Sequence, residues 1–319
     1  MSAIAGIFNY GSADTRRAHD EGISLMGSLS RYPADDVRMW SNGRLFLGCH
    51  AQWVTPESIG EILPWYDGQR GLAITADVIL DNREELANQL GVPLAELAEL
   101  PDARLLLLAY AKWGEEMPRH LIGDFAFAIW DESEETLFGA RDFTGNRTLY
   151  YNDSGARFAF CTTIAPLLPL DGVGDKLNEA WIAEYLASPS RLETVDASST
   201  VFGRVKQLPP SHCFSIRGGN LRLNRYVTFE RASTLKLSSD KAYQEAFFGG
   251  VRKGGRQSIA DQQGSGVLLE RGDSIRERSQ VWRQENCGEG IRCCIPTAPY
   301  RWSPEGTGRP KAGLRTSVR

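Results

Sequence analysis

The first ten residues, MSAIAGIFNY (Met1 to Tyr10), decide the fold. A chain end normally frays, because terminal residues bury too little surface to offset the entropy of ordering them. Here an apolar run, Ile4-Ala5-Gly6-Ile7-Phe8, opens directly behind a small polar residue, Ser2. A β-type segment that early predicts an N-terminus tied into a core.

Working outward, 319 residues suit two domains, or one large and one small. The chain is 42% apolar and 24% charged with a net charge of −4, the balance of an ordinary globular protein. No run of eighteen apolar residues is present, and no basic stretch leads into a short apolar one, so neither a membrane span nor a secretory signal is expected. The six cysteines at 49, 161, 213, 287, 293 and 294 lack the paired spacing of a zinc site. Scattered thiols without an export signal predict a cytoplasmic protein.

Charge and apolarity change together near Gly249. From there to the end, 13 Lys and Arg face 7 Asp and Glu, although the whole chain has 36 against 40. The same stretch holds only 11 Ile, Leu, Val and Phe in 71 residues, too few to bury a core of its own. Its basic residues neither form a stripe nor interleave with aromatics, so no nucleic-acid partner is expected. Residues 249–319 are therefore expected to be a basic, core-poor tail, disordered or frame-disrupted.

Before Gly249 the text is one of short strands and grouped helices. Turn residues Ser41-Asn42-Gly43 lead into an apolar hairpin arm at 44–49, and 71–80 forms another strand region. A helix is predicted over 82–90, stopped by Gly91-Val92-Pro93, and a stronger one over 102–113, ended by Gly114. Hairpins follow at 125–140 and 149–160, then a helix at 178–187. Strands at 201–226 are broken by Pro209-Pro210 and turned by Gly218-Gly219-Asn220. Strands with helices grouped between them argue for an α+β layered fold and against a doubly wound sheet.

Four ordered motifs carry a resemblance: MSAIAGIF, LDNREEL (80–86), LIGDFAFAIWD (121–131) and GARDFTGNRTLYY (139–151). Together they resemble the N-terminal glutaminase, a class II glutamine amidotransferase, of the asparagine synthetase family. VFGRVKQLPPSH (201–212) and NRYVTF (224–229) are similar to the segment that links this glutaminase to the synthetase half. The resemblance covers residues 1–248. It implies a four-layer αββα sandwich of the N-terminal nucleophile hydrolase type, followed by a remnant of an α/β ATP-pyrophosphatase domain. The division it implies is an amidotransferase-like domain at 1–170, a linker and start of the synthetase half at 171–248, and the tail.

Matched residue by residue, Ser2 stands where the family has its N-terminal nucleophilic Cys. A hydroxyl beside a free α-amine is a workable nucleophile, because that amine titrates near neutrality. The family's Asn-Gly oxyanion pair falls on Asp77-Val78, and an ionised Asp only accepts hydrogen bonds. The Arg that clamps the glutamine carboxylate after Leu-Gly-His has no counterpart in Leu47-Gly48-Cys49-His50-Ala51-Gln52, where His50 is the one candidate cation. Asp102 matches the Asp that holds the glutamine amine; as a bland alternative it caps the 102–113 helix. Arg147, where the family has Lys, reads as part of a turn, and His19, His50, His120 and His212 as isolated surface or core residues.

The family's Gly-rich pyrophosphate loop falls on Gly264 to Ser274, where Gly272, Asp273 and Ser274 remain but Glu270-Arg271 interrupt the cradle. ATP and Mg2+ are the cofactors that the resemblance implies, while glutamine as nitrogen donor keeps only the Asp102 contact and loses its clamp and oxyanion donor. Lasso-peptide cyclases resemble asparagine synthetases and close a precursor peptide through its own amine, so they need no glutaminase. Three readings stay open: a truncated ATP-dependent amide ligase of cyclase character, a glutamine amidohydrolase using Ser2, and a non-catalytic scaffold. The expected substrate is a small-molecule or precursor-peptide carboxylate, with room for a partner protein or a homodimer and no membrane partner.

Overall fold

A computed structural model describes residues 1–11, 15–187, 196–228 and 236–248. Twelve strands form two six-stranded antiparallel sheets. One sheet contains β1 (Ala3–Asn9), β2 (Asp36–Asn42), β3 (Leu45–Ala51), β8 (Tyr150–Asp153), β9 (Arg157–Cys161) and β10 (Lys206–Gln207), in the order β10-β8-β9-β1-β3-β2. The other contains β4 (Trp65–Asp67), β5 (Leu72–Leu80), β6 (Gly123–Asp131), β7 (Thr136–Arg141), β11 (His212–Arg217) and β12 (Asn220–Arg225), in the order β12-β11-β7-β6-β5-β4. The helices that build the layers or carry the site are α1 (Thr15–Ser28), α2 (Arg83–Leu90), α3 (Leu94–Leu97) and α4 (Asp102–Trp113), with α5 (Glu179–Ala187) after them.

β1 pairs with β3 on one side and β9 on the other, so it is a central strand. Successive side chains of a strand point to opposite faces. Ala3, Ala5 and Ile7 share one cluster with Ala18, Leu25 and Met26 of α1, while Ile4 and Phe8 turn to the space between the sheets. There Phe8 meets Trp130 of β6 at 5.3 Å, and Phe158 of β9 meets Phe214 of β11 at 5.0 Å. Gly6 lets the strands close, since a Cβ at that position would lie 2.3 Å from the Phe160 ring. On the far side of the second sheet, Tyr110 of α4 packs on Phe138 of β7 at 5.5 Å. The layers are therefore helix, sheet, sheet, helix. This is the αββα sandwich, with the N-terminal strand buried on both faces.

Pairing into the sheets continues past residue 170: β10 extends the first sheet beside β8, and β11 pairs with β7 in the second. The segment 206–225 thus completes the sandwich, and the linker expected there is built into it. The tail at 249–319 lies outside the described residues.

One buried carboxylate organises the loop between β7 and β8. Asp142 is fully buried and accepts from Thr144 Oγ1, from the backbone N–H groups of Gly145 and Asn146, and from that of Arg147, at 2.5–2.9 Å. Gly145 takes φ +75°, a left-handed conformation that glycine adopts without strain. Arg141 spans the loop, donating to the carbonyls of Gly145, Arg147 and Leu208. Ser211 and Tyr226 close over it, the Tyr226 hydroxyl donating to Arg141 O at 2.7 Å. The GARDFTGNR and LPPSH motifs are thus two sides of one hydrogen-bonded unit.

Replacing Asp142 removes the acceptor shared by four donors of a part-buried loop. Asp142→Ala is expected to cost about 1–3 kcal/mol, the usual loss when donors to a buried carboxylate are left without it. Urea unfolding of the variant against the parent chain measures it.

Candidate functional site

Ser2 sits at the mouth of β1, 8% exposed. Its backbone N–H donates to Asp77 Oδ1 at 3.0 Å, and its hydroxyl accepts from the N–H of Gln52 at 3.0 Å. Asp77 comes from β5 in the opposite sheet. Thr75, two residues earlier, donates to Gly48 O of β3, which fixes the direction in which this face of β5 points. The other carboxylate oxygen, Oδ2, lies 3.6 Å from Arg147 Nη1. Both partners are buried, and Arg147 Nε has no hydrogen-bond partner.

Burial pushes the Asp77 carboxyl up, and Arg147 and the Ser2 N–H oppose it. A carboxylate facing a guanidinium and an N–H donor is the state that such surroundings compensate. As an anion, Asp77 offers nothing to a developing negative charge on a reacting carbonyl oxygen. Arg147, which the sequence reads as part of a turn, is brought to this candidate site beside Asp77. Asp142 clamps its N–H and Arg141 its carbonyl, so the turn is a mounting that aims the guanidinium between the sheets.

Ser2 and Asp77 are brought together, but His50 and Asp102 are not brought to them. His50 pairs with Ala3, and paired residues share a face. That face is the one covered by α1, as the clustering of Ala3 with Leu25 and Met26 shows. His50 is buried there with Nδ1 unpartnered. It therefore supplies no clamp beside Ser2. Gln52, the next polar residue, is engaged: its Oε1 accepts from the Met1 amine and its Nε2 donates to Pro33 O.

Asp102 does not cap α4 either. Pro101 holds the cap position, and no side-chain cap bond is made. The Asp102 carboxylate instead accepts from the N–H of Leu80 at 2.9 Å and pairs with Arg83, whose guanidinium also donates to the carbonyls of Leu97 and Leu100. Asp102 is thus a strut between β5 and the start of α2, with both oxygens used. Glu57 Oε1 lies 3.6 Å from the same guanidinium. The pyrophosphate-loop residues Gly272, Asp273 and Ser274 lie outside the described residues.

Glu61 is a poorly compensated acid beside this strut. One carboxylate oxygen is buried without a partner, and burial, with the Asp102 charge adding to it, pushes the group up to about 7. The folded chain therefore keeps the proton up to that pH, whereas the unfolded chain releases it near about 4.3. The stability carried by this uptake is complete below the lower value and lost as pH rises through 7. Glu61→Gln is expected to raise the unfolding free energy at pH 8 by about 1–3 kcal/mol and to change it little at pH 4, read by urea melts at both values.

Comparison with known proteins follows the same outline. The sequence profile of the glutamine amidotransferase domain matches residues 1–227. The glutamine-hydrolyzing asparagine synthetase 3 of Bacillus subtilis is 27% identical over 209 residues, covering 65% of this chain and 33% of that protein. Amidase chyE of Penicillium rubens is 27% identical over 191 residues, covering 60% and 27%. The chain thus spans about a third of the length of the curated relatives it matches. Among solved structures, glutamine phosphoribosylpyrophosphate amidotransferase from B. subtilis aligns with a TM-score of 0.46 at 14% identity, covering 71% of this chain and 50% of that one. Among the described residues no helix is long and apolar enough to cross a membrane.

Proposed function

Because the chain belongs to the glutamine amidotransferase domain family, we propose that it is a non-hydrolysing member, the glutaminase-type half of an ATP-dependent amide-forming ligase of the asparagine synthetase kind. The observation that carries this reading is the Asp77 carboxylate, 3.0 Å from the Ser2 nitrogen and backed by Arg147. Amide hydrolysis by an N-terminal nucleophile needs donors at the oxyanion and a base for the hydroxyl proton. Losing one oxyanion donor removes about 2.7–4 kcal/mol of transition-state stabilisation. A fixed anion in its place adds repulsion to that loss. Neither His50 nor Asp102 compensates: His50 lies on the helix side of β3, and Asp102 is engaged by Leu80 and Arg83.

A ligase that draws its amine from the substrate has no use for ammonia, and lasso-peptide cyclases are such ligases. In this finer reading the substrate is a precursor peptide. One of its Asp or Glu side chains is activated with ATP and Mg2+ and then closed by the peptide's own N-terminal amine. The described residues contribute no step to the nucleotide chemistry; their part is a scaffold that a peptide or partner domain rests on. The setting proposed is the cytoplasm, consistent with Cys49, Cys161 and Cys213 as buried free thiols. Burial pushes Cys161 and Cys213 each up to about 11, which keeps them protonated and unreactive.

Incubation of the purified chain with glutamine is expected to release no ammonia above a protein-free control. Release that Ser2→Ala abolishes would overturn the reading in favour of a working amidohydrolase. Isothermal titration is expected to show heat with an acidic precursor peptide and none with glutamine; glutamine binding alone would count against the scaffold role.

A further inference from the structure

A cavity of about 480 Å³ lies between α5, the 197–201 segment and the hydrogen-bonded unit to which Arg141 and Pro210 belong. Pockets for small ligands usually measure about 300–1,000 Å³. None of Ser2, Asp77 and Arg147 lines it, so it stands apart from the non-hydrolysing reading. Its walls are tied to one another: the Asn178 N–H donates to Val201 O at 2.8 Å, and the Gln207 N–H to Ser198 O at 2.9 Å. Pro210 closes one corner against Gly145, where a Cβ would lie 2.7 Å from the proline ring. A cavity braced in this way is formed before a ligand enters, which lowers the cost of binding.

The charged lining has one sign. Arg141, His212 and Arg225 line the cavity, and no Asp or Glu does. His212 and Arg225 stand directly opposite each other across β11 and β12, so they share a face of the sheet. The His212 ring is fixed through Nδ1, which donates to Pro210 O at 2.8 Å. Arg225 donates through Nε to Val227 O at 2.9 Å, and among the described residues no acid pairs with it. Its two terminal nitrogens remain as a fork, the geometry that holds a carboxylate. Gln207 offers the opposite polarity, because its Nε2 donates to Ala197 O at 2.8 Å and Oε1 is left to accept. The flat apolar wall is Trp181, whose indole is held by stacking on Tyr185 at 5.4 Å and 7° between planes.

We propose that this cavity binds an N-acylated aromatic amino acid, either free or as the last residue of a peptide. Its carboxylate lies on the Arg225 fork, its ring on Trp181, and its amide N–H donates to Gln207 Oε1. Each part of that ligand answers a group of the lining. A free amino acid would carry an ammonium into a basic site. Inorganic phosphate would fill the fork but leave the indole and the Gln207 acceptor unused.

Isothermal titration of the full chain with N-acetylphenylalanine and with the tripeptide Gly-Gly-Phe tests this. Saturable binding of N-acetylphenylalanine alone identifies a free acid as the source, and saturation by the tripeptide identifies a peptide end. N-acetylphenylalanine amide, acetate and inorganic phosphate are each expected to bind about tenfold or more weakly, the loss that follows removal of a charged hydrogen bond or of the ring. Arg225→Gln, at an exposed side chain, and Trp181→Ala, on a helix without buried residues, are each expected to weaken binding by a similar factor and to leave the urea melt unchanged. Failure of both acids to saturate, equal binding of the amide or of phosphate, or an affinity that neither substitution lowers would overturn the inference. Ammonia release from glutamine would overturn the non-hydrolysing reading and leave this site standing.

Discussion

A central strand buried on both faces imposes the first constraint on this molecule. β1 must fill the space between the sheets with Ile4 and Phe8 and the space under α1 with Ala3, Ala5 and Ile7. The alternation cannot slip by one residue without reversing both sets. That register also decides the site. It brings Ser2 to Asp77 of the opposite sheet and leaves His50, paired with Ala3, on the helix side.

The second constraint is electrostatic. A carboxylate removed from water costs several kcal/mol unless something of opposite sign replaces the solvent. Asp77 has Arg147 and the Ser2 N–H for this purpose, and Asp102 has Arg83 and the Leu80 N–H. Two sequence-distant acids thus settle in the same way, each with one guanidinium and one backbone donor. Arg147 in turn depends on Asp142, because a guanidinium reaches between the sheets only if the turn that carries it is rigid.

Much of this was legible in the sequence, because the signals were local. The hairpins, α2 with its Gly91 stop and α4 with Gly114 follow from alternation, apolar runs and glycines placed where a positive φ is needed. Reading the sequence alone does not yield α1, whose buried residues Ala18, Leu25 and Met26 are sparse among charged and small ones. Asp102 reads as a cap because it opens a helix, but its partner Arg83 lies across the fold. Arg147 hides for the same reason: Gly145-Asn146 announces a turn, and nothing local announces that Asp77, from a different sheet, awaits the next side chain. The pairing of Ser2 with Asp77 was visible only through the family resemblance, which supplies what spacing cannot.

The N-terminal strand is held by energetics that do not depend on the chemistry at its mouth. Burying Ile4, Ile7 and Phe8 contributes about 1.5–3 kcal/mol each, comparable in sum to the whole stability of a typical domain, about 5–15 kcal/mol. β1 is therefore fixed by the fold regardless of what its first residue does. The mouth is less constrained, since Ser2 contributes two hydrogen bonds and little apolar area. Change there is still restricted in one respect. An Asp at 77 without Arg147, or Arg147 without Asp77, leaves a buried charge uncompensated, so the two are tolerated together far more readily than apart. The two residues therefore have a structural reason to occur together, whatever the chemistry of the site. An amide at 77 would leave the Arg147 guanidinium without its counter-charge, so a change at either position is coupled to the other.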